Sequence, residues 1–291
     1  VQTFEIEANG LWFRGHETGP SDGPLALLAH GFPDTCDTWR HLLAPLGAAG
    51  YHAVAPALRG YAPSDIPTDG AYQGAALASD LIELTRAFHG DERAVLIGHD
   101  WGALAAYGAC TLEPSLWRRL VTLAVPPLAA SAPAFLNPAQ LKRSWYIFFF
   151  QTHAAEFVLP HDNYALIEQL WADWSPGYRA DTDVELVRQS LNTPERISAA
   201  IGYYRALLDP SNHLPAYADL QARLSNPLLV PTLYLHGLND GCMAFQDLEN
   251  PENFLPAGSK IHVVEGAGHF LHLEKPAEVN AAILDFLESD D

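Results

Sequence analysis

Asp100 lies at the centre of Gly98-His99-Asp100-Trp101-Gly102, directly after the apolar run 94–97 and directly before the small-residue run 103–107. That is the pattern of a strand, a sharp turn and a helix. Glycines on both sides permit the strained backbone and let helix and strand pass closely, so the central side chain stands clear above the sheet. A carboxylate in that position is suited to attack an electrophilic carbon and form an ester. The bare pattern is weak, since glycine at ~7% of residues makes a chance match in a chain of this length about a one-in-ten event. The flanking strand and helix patterns carry the inference. Gly19-Pro20-Ser21-Asp22-Gly23 matches the corresponding serine pattern literally, but Pro20 and the Asp-Gly pair predict a surface turn, and Ser21 is not expected to be a nucleophile.

Partners for Asp100 are sought at the carboxyl ends of strands, where open α/β sheets place their working residues. Three predicted strand ends carry them. Residues 26–29 lead into His30-Gly31-Phe32-Pro33, whose backbone amides can face a developing negative charge. Residues 231–235 lead into His236-Gly237-Leu238-Asn239-Asp240, and residues 260–264 into Gly266-Ala267-Gly268-His269. The order nucleophile, acid, histidine is that of α/β-hydrolase triads, with His269 as base and Asp240 as its orienting acid. Neither H-E-x-x-H nor a phosphate-cradling G-x-x-x-x-G-K-[ST] occurs, so neither metal nor cofactor is expected.

The elements that must position these residues follow from the periodicity. Strand-like runs at 26–29, 52–55, 94–97 and 120–125 alternate with helical patterns at 39–49 and 75–88, the signature of a mostly parallel sheet covered by helices. The rhythm breaks at Pro126-Pro127. From about 134 to 220 the sequence reads as helices rich in aromatics, then strands return at 231–235 and 260–264 before a closing helix over 276–287. The expected organisation is a sheet core made of residues 1–130 and 224–291, interrupted by a helical cap, 131–223.

Composition narrows the partners. A net charge of −19 with only three lysines leaves no basic patch for nucleic acid or anionic lipid, and no apolar run reaches membrane-spanning length. Three widely spaced cysteines, Cys36, Cys110 and Cys242, argue against a disulfide framework and for a reducing, cytoplasmic setting. The N-terminal residues do not read as a leader, although the chain does not begin with Met.

With these residues in view, the chain resembles the α/β-hydrolases over nearly its full length, and among them the epoxide hydrolases. Two further segments support the resemblance: Trp145 to Gln151 is similar to the cap segment that carries one ring-opening tyrosine, and Gly202-Tyr203-Tyr204-Arg205 to the segment that carries the other. The resemblance implies that Tyr146 and Tyr204 donate hydrogen bonds to the epoxide oxygen, with Tyr203 the neighbour most easily confused with Tyr204. It implies an oxyanion hole of the Phe32 and Trp101 amides, a cis Phe32-Pro33 bond, and a substrate pocket lined by Phe32, Trp101, Tyr146, Phe149 and Tyr204. The expected reaction joins a small apolar epoxide and water to give a vicinal diol. A haloalkane dehalogenase is the rival with the same nucleophile, but the position of Phe32 there usually carries a halide-binding side chain. A ligand-binding receptor on the same scaffold is the non-enzymatic alternative.

Overall fold

The computed structural model describes residues 1–289. Eight strands form one sheet: β1 (Gln2–Ala8), β2 (Leu11–Thr18), β3 (Leu25–Ala29), β4 (His52–Pro56), β5 (Val95–His99), β6 (Arg119–Leu123), β7 (Thr232–Gly237) and β8 (Lys260–Val264). Their order is β1-β2-β4-β3-β5-β6-β7-β8. From β4 to β8 every neighbour is parallel, whereas β1 and β2 add an antiparallel hairpin to the β4 side. Sequence reading did not anticipate this hairpin. Its turn is Asn9-Gly10, both residues at positive φ (48° and 74°), the backbone that an Asn-Gly pair favours in a two-residue hairpin.

Strands β3 to β7 are buried along their whole length because helices cover both faces, which accounts for their largely apolar character. Helices Gly74–Ala87 and Trp101–Leu112 pack on each other; the second is so rich in Ala and Gly that it lies close to the sheet. The helix expected over 39–49 is instead a 3-10 turn, Cys36–His41, followed by the short helix Leu43–Ala48. Residues 19–23 form the expected turn, with the Gly23 N–H donating to the Pro20 carbonyl at 3.0 Å.

Between β6 and β7, among the described residues, the chain contains helices and no strand. Principal among them are Trp145–Phe149, His161–Trp174, Asp181–Ser190 and Pro194–Leu208. The last begins cleanly because Thr193 caps the Arg196 N–H and Pro194 occupies the first turn. This segment is tied to the carboxyl end of the sheet by directed bonds. Trp171 Nε1 donates to the Pro33 carbonyl at 2.9 Å, and Arg196 Nη1 donates to the carbonyls of Gly60 and Ser64 at 3.2 and 2.9 Å. The Trp174 carbonyl accepts from the Gly241 and His269 amides at 3.1 and 2.9 Å. No helix among the described residues is long and apolar enough to cross a membrane.

Candidate active site

Strand β5 ends at His99, and Asp100 turns the chain into the next helix with φ 51° and ψ −118°. Such a backbone costs a non-glycine residue on the order of 1–3 kcal/mol, so its surroundings must hold it. The Asp100 carbonyl accepts from the Ala103 and Leu104 amides at 2.9 and 3.1 Å, anchoring the turn to the helix. The flanking glycines are dictated by close approach. A Cβ on Gly98 would lie 2.4 Å from the Gly102 carbonyl oxygen, and one on Gly102 would lie 2.0 Å from that of Ala29. Gly31 faces the carboxylate itself: a Cβ there would sit 2.4 Å from Asp100 Cβ and Oδ1.

That proximity brings the Phe32 N–H to Asp100 Oδ1 at 2.8 Å. The Phe32-Pro33 bond is cis. His30 braces this turn. Its Nδ1 donates to the Gly31 carbonyl at 2.9 Å and its Nε2 accepts from the Leu58 N–H at 3.0 Å, while burial lowers its pKa to about 4 and keeps it neutral. Trp101 opens the following helix, so its N–H belongs to the first turn, whose donors have no intrahelical partner.

The loop after β8 brings His269 to this carboxylate. His269 Nδ1 lies 2.9 Å from Asp240 Oδ2, and Nε2 lies 3.5 Å from Asp100 Oδ2. Asp240 is itself oriented, its Oδ1 accepting from the Cys242 and Met243 amides at 2.7 and 3.0 Å. Burial opposes ionisation of all three groups. In His269 the two carboxylates outweigh it and push the imidazole up to about 10. In Asp100 and Asp240, likewise, His269 outweighs burial and holds both carboxyls below their usual range. The resting arrangement is an imidazolium between two carboxylates. His236, 3.6 Å from Asp240 Oδ2, is kept neutral chiefly by burial.

Aromatic side chains from the helical segment close over Asp100, whose side chain is only 10% exposed. The Tyr204 ring lies 5.0 Å from Trp101, 5.3 Å from Phe32 and 5.6 Å from Tyr146, centroid to centroid. Burial, with Asp100 nearby, raises both phenols well above their usual pKa, so both are protonated donors. Tyr146 pairs its hydroxyl with Cys242 Sγ at 3.3 Å. The Tyr204 hydroxyl is buried beside the Trp101 indole without a hydrogen bond of normal geometry among the described residues. Tyr203 is turned away: its hydroxyl donates to the Arg59 carbonyl at 2.8 Å, next to the buried ion pair of Arg59 and Asp80.

Phe149, expected in the pocket, is placed differently. It is half-buried and packs on Trp145 and Phe150, and the inward ring is Phe150, 5.4 Å from Phe32 and 5.0 Å from Tyr204. The spacing held the signal, because residue 150 is four on from Tyr146 and so shares its helical face. Sequence reading also missed Trp174, 5.1 Å from His269 and 4.9 Å from Tyr146, and the thiol of Cys242. Both are placed by long-range packing and carry no local motif. Asp240, Cys242 and His269 offer metal-ligating atoms within 4.8 Å of one another, but Asp240 and His269 are already engaged with each other.

The site thus holds an ionised carboxylate with one oxygen on a backbone amide, a histidine and second carboxylate beside it, and two buried phenols in the overlying wall. Residues 26–282 match the α/β-hydrolase family. The chain is 31% identical over 289 residues to an AB hydrolase superfamily protein of Bacillus subtilis, YfhM, covering 98% of this chain and 97% of that protein. It is 30% identical to epoxide hydrolase A of Mycobacterium tuberculosis, covering 97% and 96%. The crystal structure of epoxide hydrolase A from Mycobacterium thermoresistibile superposes with a TM-score of 0.83 at 27% identity, covering 99% of this chain and 98% of that one. The chain belongs to the α/β-hydrolase family of enzymes, alongside relatives named epoxide hydrolases.

Proposed function

We propose that the protein is an epoxide hydrolase that converts an apolar epoxide to a vicinal diol through a covalent ester on Asp100. The observation that carries this reading is the placement of an ionised, amide-bound carboxylate beneath two protonated phenols, one of which has a hydroxyl with no committed partner. Asp100 Oδ1 is held by the Phe32 amide, so the attacking atom is Oδ2. As its bond to the epoxide carbon forms, the carbon–oxygen bond of the ring breaks, and the ring oxygen takes the electron pair and a proton supplied by Tyr146 and Tyr204. Oδ1 becomes the ester carbonyl oxygen.

Ester formation removes the Asp100 charge, one of the two that keep His269 protonated. The imidazole then releases its proton, which restores the phenol, and becomes the base for the second step, oriented by Asp240. It takes a proton from a water that attacks the ester carbon. Negative charge develops on Oδ1, where the Phe32 amide already points and the Trp101 amide adds a helix first-turn donor. Collapse expels the diol as an alkoxide, which takes the proton from His269, and the remaining hydrogen of the attacking water then passes from the Asp100 carboxyl to His269, restoring the carboxylate and the imidazolium. In this reading residues 131–223 act as the cap over a core of 1–130 and 224–291. The three free, buried cysteines fit a cytoplasmic setting.

The same nucleophile could serve dehalogenation, and substrate arms separate the two. Purified protein is incubated with aryl, cyclic and fatty epoxides and, in parallel, with haloalkanes. Diol release from an epoxide with no halide release from haloalkanes is the expected result; halide release without diol would replace this reading, and binding without turnover would make the protein a receptor.

A further inference from the structure

Cys242 stands two residues after Asp240 and carries a thiol that the proposed reaction does not use. Its main chain is held from both sides. The Cys242 N–H donates to Asp240 Oδ1 at 2.7 Å, and the Cys242 carbonyl accepts from Gln140 Nε2 at 2.8 Å. Gln140, fully buried in the short helix Pro138–Arg143, also accepts the Ala244 N–H on its Oε1 at 3.3 Å and donates to Ser144 Oγ at 2.9 Å. One amide side chain of the helical segment thus pins the loop after β7 at two points. That pinning sets the thiol against the wall above Asp100: Cys242 Sγ lies 3.3 Å from the Tyr146 hydroxyl, and both side chains are buried.

The direction of this bond follows from the hydrogens available. A phenol has one hydrogen and an oxygen that also accepts, whereas a thiol has one hydrogen and a sulfur that accepts only weakly. Both Asp240 oxygens are already engaged, Oδ1 by two amides and Oδ2 by His269, so the thiol hydrogen is left for Tyr146. With an epoxide bound, the phenol hydrogen goes to the ring oxygen, and toward Cys242 the phenol presents only a lone pair. The S–H is the hydrogen that meets it. Ring opening raises the demand: as the carbon–oxygen bond breaks and the ring oxygen draws on the Tyr146 proton, the phenol oxygen keeps the O–H electron pair, and the charge develops in a buried wall where it needs a donor. The thiol keeps its own proton and donates to that charge until the proton released by His269 restores the phenol.

We propose that Cys242 is a positioning residue for ring opening: its S–H donates to the Tyr146 oxygen, directs the phenol hydrogen to the epoxide and offsets the charge left behind. Tyr204 has no such backing, since its hydroxyl is buried without a hydrogen bond of normal geometry among the described residues. The main-chain bonds add a further consequence. Because the Cys242 N–H holds Asp240 Oδ1, one residue ties the acid that orients His269 to the tyrosine that serves the epoxide, and the groups of the two steps keep their spacing through it.

The role in ring opening rests on the proposed reaction, whereas the hydrogen bond from the thiol does not, and the test separates them. The first measurement, infrared absorption in the S–H stretching region, needs no substrate. The band lost in Cys242→Ala belongs to Cys242; donation to oxygen lowers its frequency, so the frequency should rise in Tyr146→Phe. A band that does not move would overturn the donation. The second is single-turnover ester formation with styrene oxide, with thermal unfolding to confirm that each variant folds. Cys242→Ala leaves a gap and Cys242→Val fills it without a hydrogen; both should slow ester formation by about fivefold to tenfold, in the maximal rate rather than in the half-saturating concentration, while Cys242→Ser should stay within about threefold of wild type. In a Tyr146→Phe background the Cys242→Ala change should cost less than about twofold, because the oxygen it serves is gone. A Cys242→Val enzyme at the wild-type rate with Cys242→Ser as slow as Cys242→Ala would assign the thiol to packing alone, and an equal loss with and without the Tyr146 hydroxyl would remove the coupling. If the wild type forms no ester with any epoxide, the role in ring opening falls with the enzymatic reading, and the infrared result still decides whether the thiol donates to Tyr146.

Discussion

Tyr203 and Tyr204 are adjacent in sequence and opposite in environment, so replacing each by Phe should give reversed signatures. The Tyr204 hydroxyl is buried without a hydrogen bond of normal geometry and faces the nucleophile's neighbourhood. Removing it relieves an unsatisfied polar group, so stability should hold within about 1 kcal/mol or improve. Ring opening, however, should lose one positioned donor, a penalty of about 10²-fold or about 2.7 kcal/mol in the barrier. Tyr203 donates to the Arg59 carbonyl at 2.8 Å. Its replacement leaves that buried carbonyl without this donor, a loss of about 1 kcal/mol, which for a chain of this size lowers Tm by about 2 °C. The ring-opening rate should be unchanged. Stopped-flow fluorescence under single-turnover conditions reads ester formation, with Trp101 as a reporter 5.0 Å from the Tyr204 ring, and thermal unfolding reads stability. A Tyr204→Phe enzyme that opens epoxides at the wild-type rate, together with a Tyr203→Phe enzyme slowed a hundredfold, would refute the assignment and the argument from the unpartnered hydroxyl.

Replacing His269 by Gln should spare the first displacement and remove the base for the second, so intact-protein mass spectrometry should show the chain plus one substrate mass; normal turnover would strip His269 of its role. Asp240→Asn, which loses the charge 2.9 Å from His269 Nδ1, should slow the same step by orders of magnitude, and an unchanged rate of ester breakdown would assign the orienting acid elsewhere. In ¹⁸O water with enzyme in excess, the first diol released should be mostly unlabelled and the peptide containing Asp100 should gain label. Immediate label in the diol with none at Asp100 would exclude the ester. Gly31→Ala would drive a Cβ to 2.4 Å from the Asp100 carboxylate, so ester formation should collapse while circular dichroism shows a folded protein; an active Gly31→Ala enzyme would show that this turn has room to move.

Much of this protein is legible without coordinates because its decisive signals are local. The turn around Asp100 needs glycines at 98 and 102 whatever surrounds it, since the helix and strand that it joins approach to distances no side chain permits. Parallel strands buried on both faces must be short apolar runs, and each of the runs from 26–29 to 260–264 lies within one or two residues of a strand. The hairpin of β1 and β2 was missed although Asn9-Gly10 announces it and Phe4-Glu5-Ile6-Glu7-Ala8 alternates, because it stands outside the strand-and-helix rhythm and only β2 pairs with the parallel sheet. Other features had no local expression. Neighbouring residues on a helix point about 100° apart, and which one faces Asp100 depends on how Pro194–Leu208 docks, so sequence chose Tyr204 over Tyr203 only through resemblance, and the physical reason for the choice lies in the packing. Packing likewise decides for Phe150 over Phe149. Charge is the least local property of all: His269 is protonated in the resting site because residues 100 and 240, far apart along the chain, bring two carboxylates to one imidazole, and the field that holds the proton exists only once the sheet has assembled them.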